Sequence, residues 1–159
     1  IVLVFLHCAF TMGYDAALPV LASGTLGASG TAYSLLVMAI GAAWLPLSAK
    51  QAEYTNALAK KYAGKNVVVY FVLTDSANSR SNNYTSPEDI KRFVAANKLN
   101  FTVLRDPDGA ATLKKFNVDQ VPSFVLLNKQ GDSAGEPYGG IDPKYDITIP
   151  ISKAVDRLL

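Results

Sequence analysis

The sequence is poor in the side chains that most often carry chemistry. In 159 residues it has one cysteine, Cys8, and one histidine, His7. A single cysteine excludes a disulfide framework, an intrachain dithiol couple and a thiolate-rich metal site. With only one histidine beside it, a zinc site of any common type lacks ligands, and no metal or cofactor is expected. A net charge of +2 gives no strong positive field, so nucleic acid is not an expected partner. Asp106, Asp108 and Asp142 lack the spacing of a calcium loop. The glycine-rich run from Gly24 to Gly30 lacks the Lys-Ser/Thr pair that completes a phosphate loop.

Charge is also scarce at one end. Residues 1–49 contain one charged side chain, Asp15; all 15 Lys and Arg and the other 12 acids follow it. A segment of that kind must be buried in protein, in lipid, or in both. The run Ile1-Val-Leu-Val-Phe-Leu-His-Cys-Ala-Phe10 is too short to span a bilayer, which takes about 20 apolar residues. It reads as the tail of a membrane helix, as a signal-peptide core, or as a buried strand. The chain opens on Ile1 rather than Met, so an upstream segment is expected. Cys8 follows Phe5-Leu6-His7 and so lacks the small residues that precede an acylated lipoprotein cysteine. A second charge-free stretch, Thr25 to Leu47, is long enough to cross a membrane. The expected organisation is an apolar arm over residues 1–16, serving as anchor or signal remnant, and one domain over residues 17–159. Membrane contact is expected to fall within residues 1–47.

The remainder has the composition of a folded domain, with 50% hydrophobic residues overall. Ser34–Gly41 is a continuous apolar run and reads as a strand. Leu47, Tyr54, Leu58 and Tyr62 recur at helical spacing from about Pro46 to Tyr62, with Ala63-Gly64 ending the helix. Asn66–Leu73 is β-branched and apolar throughout, as in a strand buried on both faces. Asp75–Tyr84 is a polar loop. Ser86-Pro87-Glu88-Asp89 is a helix start, with a capping serine, proline in the first position and acids in the first turn. Ile90, Phe93 and Val94 mark that helix's buried face. Phe101–Leu104 reads as a short strand, Asp106–Gly109 as a turn and Ala110–Phe116 as a short helix. Ser123–Leu127 is a strand, Asn128–Gly131 a hairpin turn, and a further strand runs toward Tyr138. Pro150, Ile151, Ala154, Val155 and Leu158 outline a closing helix. Alternating helices and strands imply an α/β layer fold with a central mixed sheet flanked by helices.

Several of these segments resemble the thioredoxin-like superfamily, in its TlpA-like and redoxin branch. Ala42-Ala-Trp-Leu-Pro-Leu-Ser48, between a strand and a helix, is similar to that family's active-site segment, Trp-Cys-x-x-Cys or a single-cysteine form. Leu104-Arg-Asp-Pro-Asp-Gly109, Phe116-Asn-Val-Asp-Gln-Val-Pro-Ser-Phe-Val-Leu-Leu127 and Gly131 are similar to its second half. Leu18-Pro-Val-Leu21 and Thr25-Leu26 are weakly similar to the segment before its first strand. The resemblance spans about residues 17–159. It implies a thioredoxin-like fold with an apolar N-terminal extension. It also implies that Pro122 is the family's cis-proline, with Val121 and Tyr138 lining what remains of the cleft.

The motif has lost its chemistry. Within Trp44-Leu45-Pro46-Leu47-Ser48, the two cysteine positions correspond to Leu45 and Ser48. Exchange begins with a thiolate whose pKa is lowered at a helix N-terminus. Leucine has no nucleophile, and a serine hydroxyl needs a base beside it, for which His7 is the only histidine. Ser48 is therefore read as a helix cap or a first-turn residue, and Leu45 as cover for the surface a disulfide would occupy. Cys8 has two readings: a displaced catalytic thiol, or a small buried apolar residue. Asn83-Tyr84-Thr85 and Asn100-Phe101-Thr102 match the glycosylation tripeptide, a pattern common by chance.

Two functions remain open. The first is a redox-inactive thioredoxin-like domain acting as a structural or binding subunit, an accessory part of a membrane-associated respiratory or photosynthetic complex with protein partners. The resemblance implies an extracytoplasmic, bacterial periplasmic setting. The second is a single-cysteine thiol peroxidase or reductase that uses Cys8. The missing motif cysteines favour the first.

Overall fold

The computed structural model describes residues 35–142 and 144–159. Its element order is β1 (Leu35–Gly41), α1 (Pro46–Lys61), β2 (Val67–Leu73), α2 (Pro87–Ala96), β3 (Val103–Arg105), β4 (Ser123–Asn128), β5 (Tyr138–Gly139) and α3 (Thr148–Leu158). The strands form one five-stranded sheet in the order β3-β2-β1-β4-β5. β1 runs parallel to β2 and antiparallel to β4. β3 extends the parallel half and β5 the antiparallel half. The sheet is therefore mixed, as the alternation of elements implied.

Two apolar layers sandwich the sheet because side chains alternate across a strand. Leu35, Val37 and Ala39 face one layer with Phe71, Leu58 of α1 and Ile151 of α3. Leu36, Met38 and Ile40 face the other, with Tyr70, Val72 and Phe116. Every residue of β1 is buried. That explains the charge-free run from Leu35 to Gly41: a parallel central strand is covered on both faces. It also corrects one expectation. Thr25–Leu47 does not form a membrane span over its described part, because Leu35–Gly41 is the central strand and Pro46 opens a helix. The residues of the expected arm, 1–16, lie outside the described residues.

Most element boundaries match their sequence signals. Ser86 caps α2, its Oγ accepting from the Asp89 N–H at 3.1 Å, and Ile90, Phe93 and Val94 are half-buried against the core. Three expectations change. Ala110–Phe116 forms successive turns rather than a helix. Left-handed residues bound the segment on both sides, Asp108 at a φ of 58° and Asn117 at 52°, while the Asp106 carboxylate accepts from the Ala111 and Thr112 N–H groups as a cap would. The strand toward Tyr138 shortens to Tyr138–Gly139. On α1 and its C-cap, Tyr54, Leu58 and Tyr62 are buried as expected, but Leu47 is 37% exposed, and Ser48, Gln51, Ala52 and Thr55 complete a buried face that mixes polar and apolar residues.

α3 closes the first layer onto α1. Tyr62 is buried, and its hydroxyl donates to Asp156 Oδ1 at 2.8 Å and to the Ser152 carbonyl at 3.2 Å. That hydroxyl, helped by Lys61, holds the Asp156 carboxyl below its ordinary range. A carboxyl depressed in the folded state adds stability that is present above its unfolded value of about 3.9 and lost as pH falls through the folded value. Tyr62→Phe is therefore expected to lower the melting temperature at neutral pH, with the gap to wild type narrowing below about pH 4. Thermal melts across that range check this. A gap independent of pH would assign the effect to the Ser152 carbonyl instead.

Candidate functional site

The loop from Ala42 to Leu45 joins the central strand to α1, and three polar side chains fix it. Ser48, in the first turn of α1, is fully buried, and its Oγ accepts from the Ala42 N–H at 3.0 Å. Asp75, just past the end of β2, is also fully buried. Its carboxylate accepts from the Ala43 N–H at 2.9 Å, the Trp44 N–H at 3.3 Å and the Thr85 hydroxyl at 2.6 Å. Gln51, one turn beyond Ser48, donates through Nε2 to the Ile40 carbonyl at 3.1 Å and the Ser123 carbonyl at 2.7 Å. Its Oε1 is buried and accepts no hydrogen bond from the described residues. Gly41 makes room for this amide: a methyl group there would stand 2.4 Å from Oε1 and 2.9 Å from Ser48 Oγ.

The motif positions sit as follows. Trp44 is 46% exposed. Leu45 is the half-buried residue preceding α1, in extended conformation, with no side-chain cap. Pro46 is the first helical residue. The Ser48 N–H donates to the Leu45 carbonyl at 2.9 Å, so the two cysteine positions lie one turn apart. The Val121–Pro122 bond is cis. Pro122 is buried and immediately precedes Ser123, whose carbonyl receives the Gln51 amide. Val121 and Tyr138 do not share a cleft, because they pack against opposite layers of the sheet. Cys8 and His7 lie outside the described residues.

Beside the loop is a cleft of about 450 Å³ between Trp44 and one face of α2, from Asp89 to Ala96. Ala43, Phe93 and Ala96 line its apolar part, and Tyr84, Asp89 and Arg92 its rim. Both Asp89 oxygens are engaged: Oδ2 accepts from the Ser86 hydroxyl at 2.7 Å, and Oδ1 pairs with Arg92. These contacts, the Ser86 bond first, hold the Asp89 carboxyl below its ordinary range. Asp75, Gln51 and Thr85 escaped the sequence reading. The available signal for Gln51 was its place three residues after Ser48 on one helix face. For Asp75 it was an acid two residues beyond a wholly apolar strand.

Such a site can bind, but its motif supplies no acid, base or thiolate. Leu45 is inert, and the Ser48 oxygen is buried against a backbone amide. Among the described residues no group of His, Cys, Asp and Glu side chains is placed to hold a metal.

A mixed sheet with the motif helix after its central strand and a cis-proline at the head of β4 defines a thioredoxin-like protein of the redoxin branch. The chain belongs to the AhpC/TSA family, whose profile matches residues 15–134. Solved structures share the fold at low identity. A Chlorobium tepidum protein assigned as thiol:disulfide interchange protein DsbE is 20% identical, with a TM-score of 0.65 over 82% of this chain and 83% of that one. A secreted Mycobacterium tuberculosis disulfide oxidoreductase homologous to E. coli DsbE is 21% identical, with a TM-score of 0.57 over 83% and 85%. A thioredoxin-like protein from Aeropyrum pernix is 17% identical, with a TM-score of 0.63 over 79% and 78%. No curated protein matches the chain significantly.

If positions 45 and 48 are the family's cysteine positions, the backbone should accept a disulfide there. Leu45→Cys with Ser48→Cys, in a Cys8→Ser background, is expected to bridge under mild oxidant, the Leu45→Cys thiol titrating below the free value of about 8.5. Losing the leucine side chain should cost about 1–2 kcal/mol. Thiol titration and a mass shift read the result. A folded variant with two unbridged, unperturbed thiols would show that the motif is misplaced.

Proposed function

We propose that this chain is a redox-inactive thioredoxin-like domain acting as a structural or binding subunit. The observation that carries the reading is the filling of both nucleophile positions. Leu45 stands where the attacking thiolate would be, and Ser48 has its oxygen committed to the Ala42 N–H at 3.0 Å inside the fold. Disulfide exchange and peroxide reduction both begin with a thiolate. A family fold with that atom replaced by hydrocarbon keeps its surfaces and loses its reaction.

The finer setting is an accessory role in a membrane-associated respiratory or photosynthetic complex, on the extracytoplasmic side. Two observations support it: the single charge in residues 1–34, ahead of the buried central strand, and the fold shared with a protein described as secreted. Among the described residues no helix is long and apolar enough to cross a membrane. The proposed tether is therefore residues 1–16, with the domain over 17–159.

Purified protein is expected to show no insulin reduction and no peroxide consumption above buffer, and Cys8→Ser is expected to change nothing. Activity above background that Cys8→Ser abolishes would replace this reading with a single-cysteine peroxidase or reductase. The tether has its own test. Deleting residues 1–16 is expected to release the protein from membranes or its complex while the melting transition of the domain persists. Unchanged retention would remove the arm from the binding role, and loss of the transition would make it part of the core.

A further inference from the structure

The binding reading above leaves open which surface binds and what it takes. The geometry points to the cleft between Trp44 and α2, and to a peptide segment that presents an aromatic or large aliphatic side chain next to a carboxylate. This inference rests on the non-catalytic reading and names the partner class for it.

Three features converge there. The first is preorganisation. Asp75 is fully buried, yet its carboxylate bonds to Ala43, Trp44 and Thr85, all of which line the cleft. Burying a charge is costly unless it is well paired, and here the pairing joins the two walls of a surface cleft rather than core elements. Arg105 reinforces one wall, its guanidinium donating to the Ser76 and Thr85 carbonyls at 3.3 and 3.1 Å. A fixed cleft loses less entropy when it is filled.

The second feature is exposed aromatic surface. Trp44 and Tyr84 are 46% and 38% exposed and flank the opening, with Ala43, Phe93 and Ala96 between them. Tryptophan, tyrosine and arginine are the residues that most often dominate binding energy when a partner covers them.

The third is an unbalanced hydrogen-bonding capacity. Both oxygens of Asp89 are engaged. Arg92 has five N–H donors, its side chain is 78% exposed, and its bond to Asp89 is its one ion pair among the described residues. Arg92 offers more donors than Asp89 has acceptor sites left, so the pair keeps a surplus of donors at the rim. An acceptor anion suits it, and guanidinium pairs with carboxylate in a planar, two-bond geometry. An apolar floor with a guanidinium at the edge therefore selects an apolar side chain followed by an acid.

Trp44 is the chain's only tryptophan, so its emission reports on this cleft alone. The probe is a capped tetrapeptide, glycine-phenylalanine-aspartate-glycine, titrated against the full chain. A saturable change in emission is expected, with Kd on the order of 1 mM. Replacing the peptide's aspartate by asparagine, its phenylalanine by alanine, or the protein's Arg92 by Gln (Arg92→Gln) is each expected to weaken binding about tenfold. Arg92 is exposed, so Arg92→Gln leaves the fold intact, as circular dichroism should confirm. A response that stays linear to about 10 mM, or equal affinity for the aspartate and asparagine peptides, would overturn the proposal. So would emission that shifts with protein concentration alone together with a dimer in sedimentation, which would make a second copy the occupant. Such failures leave the redox-inactive reading standing. Conversely, thiol activity in the insulin or peroxide assay would end that reading without changing the peptide titration.

Discussion

One side-chain amide joins the motif helix to the sheet. Gln51 donates to the carbonyls of Ile40 and Ser123, and those two residues face each other at the end of the β1–β4 ladder. The bond pair therefore closes the ladder where the sheet has run out of its own partners. It also sets the position of everything around it. Pro122 immediately precedes Ser123, so the cis turn lies against the start of α1. Ser48, one turn earlier on the same helix face, reaches the Ala42 amide. Buried amides and carbonyls must find partners or cost about 1–3 kcal/mol each. Here a helix side chain answers for backbone on two strands at once.

Around that point the thioredoxin-like architecture persists, and the loop and first turn of α1 carry Leu45 and Ser48, neither of them a thiol. The strand, loop and helix that would lower a thiol's pKa are in place, with α1 beginning at Pro46 directly after the loop. The site is instead held by neutral and carboxylate hydrogen bonds from Ser48, Gln51, Asp75 and Thr85. Such a network rigidifies when its members are satisfied. Gln51 Oε1 is the exception among them, a buried acceptor without a donor among the described residues. The result is a loop presented to solvent in one shape, with Trp44 at its outer edge.

The parts of the fold that local chemistry decides were legible in the sequence. The apolar runs of β1, β2 and β4, and the Ser86-Pro87 helix start, each follow from periodicity or capping. The parts that depend on distant partners were not. Ala110–Phe116 looked helical because Leu113 and Phe116 are suitably spaced, but left-handed residues at Asp108 and Asn117 bound it on both sides. On α1 the large residues drew attention to Leu47, whereas the buried face runs through Ser48, Gln51 and Thr55. Polar residues buried against carbonyls of another strand leave no hydrophobic trace. Asp75 was hidden for the same reason, since its partners lie 31 and 32 residues earlier and 10 residues later. Leu45 and Ser48 are assigned to the motif positions only through order and context, because leucine and serine carry no signal of their own.

The missing side chain at Gly41 has a consequence for how this sequence can drift. A methyl group there would overlap Gln51 Oε1 and crowd Ser48 Oγ and the Phe71 ring. Position 41 can therefore gain a side chain only after position 51 shortens, and shortening position 51 strips the Ile40 and Ser123 carbonyls of their donor. Either order of change passes through a less stable intermediate. Glycine and glutamine at these two sites are therefore coupled, the bulk allowed at one being set by the length of the other.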